Sequence, residues 1–392
     1  MRKKALLLLA VIYLVFAVGV GMPDPLRGTA WPLMWKDLAL PLYYAGILQM
    51  AGTGGRIISS LLNGKTIGRF GLWPVCLCSM GLIALALAGF AVSTGIVLLL
   101  VSSFLLGYGS GALDSGINNY TALHYDARCM SWLHASYGAG STTGTLFMSV
   151  FLGINGNWRG GFFASSVIAC GSFIILASSP SLWKVHESGK SVQSSESQRF
   201  SRPAGNLRVL SIPGVKASMA CFFSLNSLLG IISTWGAVYL VMKKGLAGKD
   251  AALWISMVYI SIMVCRVLTG FLSSRFSGRT IIFGGCVSLF LGCLLFIPAS
   301  PVCALVALVF LGFGIGPLHP MLIHENPARF GEANSQSAVG LQFAASSFSG
   351  FIIPALAGLL ISGVSMNLFI ILVLLFTLTF TLSVIILRSR RI

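Results

Sequence analysis

The sequence predicts an all-α membrane protein with twelve transmembrane helices arranged as two pseudo-symmetric six-helix bundles. Three observations carry that reading. Hydrophobic residues make up 56% of the 392 and charged residues only 9%, the balance of a chain that crosses a bilayer many times. Apolar runs near 20 residues, enough to span about 30 Å of hydrocarbon as helix, recur from one end to the other. The two halves of the chain also repeat one another's motifs.

The first run, near 5–26, follows the basic start MRKK. That form also suits a signal peptide, but with so many spans behind it an uncleaved first helix is expected. Windows of membrane-crossing length follow near 41–63, 72–92, 96–123, 131–155 and 159–183, completing an N-terminal bundle over 1–183. Residues 184–213, rich in Ser and basic residues, form the only long polar interruption and read as a linker. Six more windows, near 214–242, 250–274, 279–299, 302–325, 334–362 and 365–388, make a C-terminal bundle over 214–392.

Charge sets the orientation and excludes other classes. The net charge is +17, yet the basic residues gather at the ends of apolar runs, where anionic headgroups lie, so the partner is the lipid bilayer and not nucleic acid. With both termini inside, cytoplasmic segments hold 18 of the 26 Lys and Arg, while outer loops hold six: Arg27, Lys36, Arg159, Lys243, Lys244 and Lys249. A multi-pass protein of the plasma (inner) membrane with both termini cytoplasmic is therefore expected. The nine cysteines lie in or beside apolar segments without metal-ligand spacing and read as small packing residues, with neither disulfide nor metal. No Walker loop is present, and GYGSGALDSG lies within an apolar span, not after a strand, so it is no nucleotide loop. The chain reads as a monomer without cofactor and not as an enzyme: its nine acids are scattered, with no titratable cluster near one surface.

Two basic residues, Arg56 and Arg266, fall inside spans and expose the repeat. GGRIISSLLNGKTIGRFG and VCRVLTGFLSSRFSGRT share R-x8-[KR]-x2-G-R, through Arg56, Lys65, Gly68, Arg69 and Arg266, Arg275, Gly278, Arg279. LGYGSGALDS in span four aligns with LGFGIGPLHP in span ten, setting Asp114 opposite His319. Internal repeats of this sort belong to secondary transporters, whose solute site lies at mid-membrane between the halves.

The basic pieces at the ends of spans two and eight are a degenerate form of the short loop of the major facilitator superfamily, which the chain resembles over its whole length. LDSGINNY and GMPDPLRGTAWPLMWKDLALPLYYAGILQ resemble the fourth-span and first-span regions of its fucose permease group of sugar:proton symporters. That resemblance implies proton coupling and sugar binding by Asp24 and Asp114. The acid this group often carries early in span seven is absent here, where SLNSLLGIISTWGAVYL offers Asn226 and Leu229 ahead of Trp235.

Asp114 is an acid where the pattern predicts hydrocarbon. A bare charge at mid-membrane costs about 2.5–3.5 kcal/mol on insertion scales, so Asp114 must face protein or water and be protonated or paired. Arg56, at the same depth by residue count, is the candidate partner, either as an alternating counter-charge or as a permanent packing pair. Asp24 lies in MPDP, where residue count alone reads a solvated outer corner. Sugar recognition needs amides for hydroxyls and aromatic faces for the ring. Asn118, one turn from Asp114, fits that need, and Asn119, Tyr137, Asn226, Trp235 and Gln342 extend the candidate set. His319 is a ligand contact, a second titrating group or a satisfied core histidine. The expected function is proton-coupled transport of a small polar solute, a monosaccharide, by alternating access; the alternative is proton-driven efflux of drugs or metabolites.

Overall fold

The computed structural model describes residues 2–125, 127–187, 209–272, 275–298 and 300–389, and all its regular elements are helical. The first span joins α1 (Arg2–Phe16), a π-helical turn (Ala17–Gly21) and α2 (Leu26–Asp37). Then come α3 (Tyr44–Phe70), α4 (Leu72–Ala91), α5 (Ile96–His124), α6 (Ala127–Gly153) and α7 (Trp158–Ala177), with the short α8 (Pro180–Glu187) behind them. The second half holds α9 (Val215–Lys244), α10 (Gly248–Leu272), α11 (Gly278–Phe296), α12 (Pro301–His324), the short α13 (Asn326–Phe330), α14 (Glu332–Gly363) and α15 (Leu368–Ser389). Most of the expected linker, residues 188–208, lies outside the described residues.

Ten spans are long and apolar enough to cross a membrane on those grounds alone. The other two, α3 and α6, have 27 residues each, about 40 Å of helix, but carry too many polar side chains to qualify by hydropathy. Both lie along the seam between the bundles, α3 against α14 and α6 against α10, so their polar residues meet protein and water instead of lipid. Together the twelve spans form two six-helix bundles.

The first span runs further than its apolar window. The sequence ends it near residue 26 and puts Arg27 in an outer loop; the chain instead continues helically to Asp37, so Asp24 and Arg27 lie mid-span. Pro23 and Pro25 lack N–H groups yet keep near-helical torsions (Pro25 φ −83°, ψ −13°), and the π turn closes on Met22 N–H to Ala17 O (2.8 Å). MPDP is thus a bend inside a span, not its end.

Prolines recur in the central helices with one consequence. Each deprives the carbonyl four residues earlier of its helical partner, and at four of them a neighbouring helix supplies another. Gly21 O, freed by Pro25, accepts from Ser141 of α6 (3.1 Å). Phe313 O, freed by Pro317, accepts from the Cys265 thiol of α10 (3.3 Å), and Gly316 O, freed by Pro320, accepts from Arg266 Nε (3.4 Å). Gly350 O, freed by Pro354, accepts from Thr53 Oγ of α3 (3.2 Å). Proline thus becomes a helix-to-helix tether in the bilayer.

The glycine motif acts alike in both halves. Gly107 and Gly111 of α5 press on α3, while Gly109 faces α4; Gly312 and Gly316 of α12 press on α10, while Gly314 faces α11. Arg56 lies against Gly111 and Arg266 against Gly316, at equivalent positions.

The bundles meet away from the chain termini. Gly28 of α2 packs on the backbone of Ser233 in α9, Gly46 of α3 on Pro354 and Ala355 in α14, and Leu33 on Gly248. Ser149 Oγ donates to Lys249 O (2.7 Å) across the same seam. Toward the termini the hydrogen bonds Asn63 to Ala112 O, Asn326 to Gln342 and Arg388 to Arg279 O each stay within one half. The halves therefore close at the face opposite the termini and diverge toward the termini, around a central vestibule.

Candidate functional site

The bend in the first span carries Asp24 to the depth of Arg56 in α3 and Tyr137 in α6. Tyr137 donates its hydroxyl to Asp24 Oδ2 (2.6 Å), and Arg56 Nη2 stands 3.6 Å from Asp24 Oδ1. The side chains of this pair are 33% and 19% exposed, Arg56 the more open, so water reaches both. Residue count pairs Arg56 with Asp114; the ion pair in the structure is with Asp24 instead. The cause is the uninterrupted first span, which brings into the centre an acid that residue count left at the outer surface.

Asp114 projects from α5 near the same arginine without joining that pair. Asn118, one turn along, donates its amide to Asp114 Oδ1 (2.7 Å) and to the Asp114 carbonyl (2.8 Å). Both amide hydrogens are then used, leaving the Asn118 oxygen as an acceptor. Asn119 is half-buried one position round the helix.

Two residues that the sequence reading did not single out join this centre. Arg27, three residues after Asp24, lies over Gly52 and donates from Nη1 to Leu48 O (3.1 Å), while its Nε is buried without a partner. Its spacing from Asp24 was a readable signal once the span was known to continue. Tyr259 of α10 is 2% exposed, with its hydroxyl buried beside Ser233 of α9 in the neighbourhood of Arg27, Asp24 and Tyr137. A tyrosine inside an apolar run gives no comparable sequence signal.

The remaining candidates lie elsewhere. His319 is half-buried between Phe222 and Phe343, at 4.7 and 5.7 Å between ring centres. Asn226 donates to Ser346 O (2.7 Å) and Ser349 Oγ (3.1 Å), tying α9 to α14. Trp235 is fully buried, and its indole N–H donates to Pro354 O (2.9 Å). Gln342 is buried in a reciprocal amide pair with Asn326 (2.9 and 3.0 Å) and also donates to Ser218. The polar atoms of these last three are engaged between helices, the ordinary use of polar groups in spanning segments.

Two carboxylates, two guanidiniums and two phenols thus stand at one level beside a wet vestibule. Such a set holds a proton or binds hydroxyl-bearing groups, and the face opposite the termini is sealed above it.

The chain as a whole resembles known transporters. The glucose/mannose transporter GlcP of Bacillus subtilis (strain 168) is 24% identical over 354 residues, which covers 88% of this chain and 84% of that one. Among solved structures, the nucleoside transporter NupG matches with a TM-score of 0.76 at 12% identity, covering 97% of this chain and 98% of its own. A bacterial homologue of the human lysosomal transporter Spinster, inward-facing and unoccupied, matches at 0.79 and 11% identity over 100% of this chain and 99% of its own. At such identities the structures speak for the fold. A sequence model of the Major Facilitator Superfamily matches residues 6–325, and the chain belongs to that superfamily.

Proposed function

We propose that the protein is a proton-coupled symporter for a small polar solute of the sugar class, working by alternating access in the plasma (inner) membrane. One observation carries the reading: two carboxylates, Asp24 and Asp114, stand near one guanidinium, and Arg56 is paired with only the first of them. A carboxylate at mid-membrane needs a proton or a positive neighbour. While Arg56 stays with Asp24, Asp114 takes the proton; when Arg56 swings to Asp114, the proton leaves and Arg27 stays as the positive neighbour of Asp24. The bundle movement that opens the other face supplies the displacement. Asn118, through its free oxygen, accepts from a solute hydroxyl, and the Tyr259 hydroxyl, beside Ser233, adds a contact from the second half. GlcP, named a glucose/mannose transporter, supports the sugar class. The basic residues support cytoplasmic termini, because Arg27, counted at first among outer charges, lies within a span and deepens the asymmetry. Residues 184–213 then link two bundles at 1–183 and 214–392.

The test uses the purified protein in proteoliposomes. Asp114→Asn, fixed in the neutral form, loses solute uptake driven by a pH gradient and keeps solute exchange without one. Unchanged gradient-driven uptake removes Asp114 from coupling, and drug efflux without sugar uptake replaces the symport reading.

A further inference from the structure

The two halves place arginines at equivalent positions and then differ in what surrounds them. Arg56 lies against Gly111 and Arg266 against Gly316, the matching glycines of the repeat. Three residues beyond those glycines the first half carries Asp114 and the second His319. Arg56 has a carboxylate 3.6 Å away. Arg266 is in no ion pair among the described residues. The polar side chains in its electrostatic neighbourhood are His134 and Tyr137 of α6 and His319 of α12. Tyr137 is committed to Asp24. Arg266 Nε is held by the carbonyl that Pro320 frees. Its two terminal nitrogens form no hydrogen bond among the described residues, and neither is among the buried unpartnered atoms, so they reach open space.

Charge adds a second argument. The mid-membrane set contains three guanidiniums, Arg27, Arg56 and Arg266, against two carboxylates, Asp24 and Asp114. With the vestibule open, water screens the excess. Once the bundles close around a solute that water is expelled, and a guanidinium left without an anion is strongly disfavoured. A neutral solute leaves Arg266 stranded at that step, whereas an anionic one completes the pairing through the planar fork that suits carboxylate and phosphate.

We infer that Arg266 is an anion-binding position, and that the solute is a small polyol bearing a carboxylate or phosphate-ester group. In the first half the protein supplies the arginine's counter-charge; in the second the cargo does. This deepens the transport reading above and rests on it for the site's location.

The test is a binding measurement that needs no transport, so its failure is separate from a failure of proton coupling. The detergent-purified full-length protein is treated with phenylglyoxal, and modification of Arg266 is followed by peptide mass spectrometry. Three probes share one ring: D-glucuronate, D-glucose 6-phosphate and D-glucose, with sodium chloride at matched ionic strength. At least one charged probe slows Arg266 modification fivefold or more and raises Tm, while glucose and chloride do neither. Glucuronate alone assigns a carboxylate, and the phosphate ester alone a phosphate. The Tm rise disappears in Arg266→Gln and persists in part in Arg266→Lys. Protection by glucose equal to that by the charged probes, protection reproduced by chloride, or none from any probe overturns the assignment.

Discussion

Adding a single methyl group at Gly46 tests whether the seam between the bundles is what holds this conformation. A Cβ there would stand 2.5 Å from Pro354 O and from the Ala355 Cα, against an ordinary contact distance of 3.4–4 Å. Both obstacles are backbone, so α3 and α14 must part by about 1 Å. Forcing extra atoms into a packed contact costs about 1–3 kcal/mol. That cost falls on the state sealed at this face and vanishes in the state where the seam is open. Gly46→Ala therefore shifts the ratio of the two states by about 5- to 150-fold toward opening, at about 1.4 kcal/mol per tenfold. Spin labels at Val92→Cys and Val364→Cys, positions 66% and 74% exposed at that face and in different halves, report the change by pulsed electron resonance in a background lacking the native cysteines. The longer-distance population grows in the variant. An unchanged distance distribution with a lowered Tm refutes the reasoning, because the strain would then have been absorbed within the bundles.

Further substitutions separate binding groups from packing groups. Tyr137→Phe removes a 2.6 Å hydrogen bond to Asp24; bonds to charged groups contribute about 1.5–3 kcal/mol to stability, so Tm falls, and initial uptake in proteoliposomes falls as well because Asp24 loses the group that orients it. Gln342→Ala leaves Asn326 buried without its amide partner, costs about 1–3 kcal/mol of stability, and lowers Tm without changing the KM for solute. Trp235→Phe loses the indole bond to Pro354 O, worth about 1 kcal/mol, together with the ring carbons packed on Gly358, so it lowers Tm through both the bond and the cavity left behind and leaves KM unchanged; a large rise in KM would return Trp235 to the solute site.

Span number and order were legible because long apolar windows are a strong signal, and most of the structure's helix ends fall within a few residues of them; the second span runs seven residues past its window, to Phe70, and the sixth stops six short, at Ala177. The first span was misjudged for a physical reason. Proline and aspartate in MPDP look like a turn when helical propensity is the guide, but in a bilayer the freed Gly21 carbonyl finds Ser141 and the aspartate finds Arg56 and Tyr137. Neither partner is visible from local sequence. Asp114 and Arg56 stood out because each violates the apolar pattern. Asn226, Trp235 and Gln342 stood out for the same reason, yet their polar atoms are engaged by neighbouring helices. Polarity within a span marks a residue that needs a partner; whether the partner is cargo or helix depends on packing that no single-chain pattern encodes.

The distribution of bonds explains how two rigid halves can move against each other. The three ion pairs of the described residues, Asp24–Arg56, Asp37–Arg159 and Glu325–Arg329, each lie within one half. Three of the four proline tethers also stay within a half, including the one that fixes Arg266. Across the seam the hydrogen bonds are neutral: Thr53 to Gly350 O, and Ser149 to Lys249 O. Each is worth about 0.5–1.5 kcal/mol net, and at Gly28 and Gly46 the contacts there set glycine against backbone, surfaces smooth enough to part. Charge within the bundles and neutrality between them keep each half intact while the cost of separating them stays near what a bound solute and a proton supply. A charged pair bridging the seam would raise that cost and slow the exchange of faces, which is why the mobile arginine belongs beside two acids of its own half.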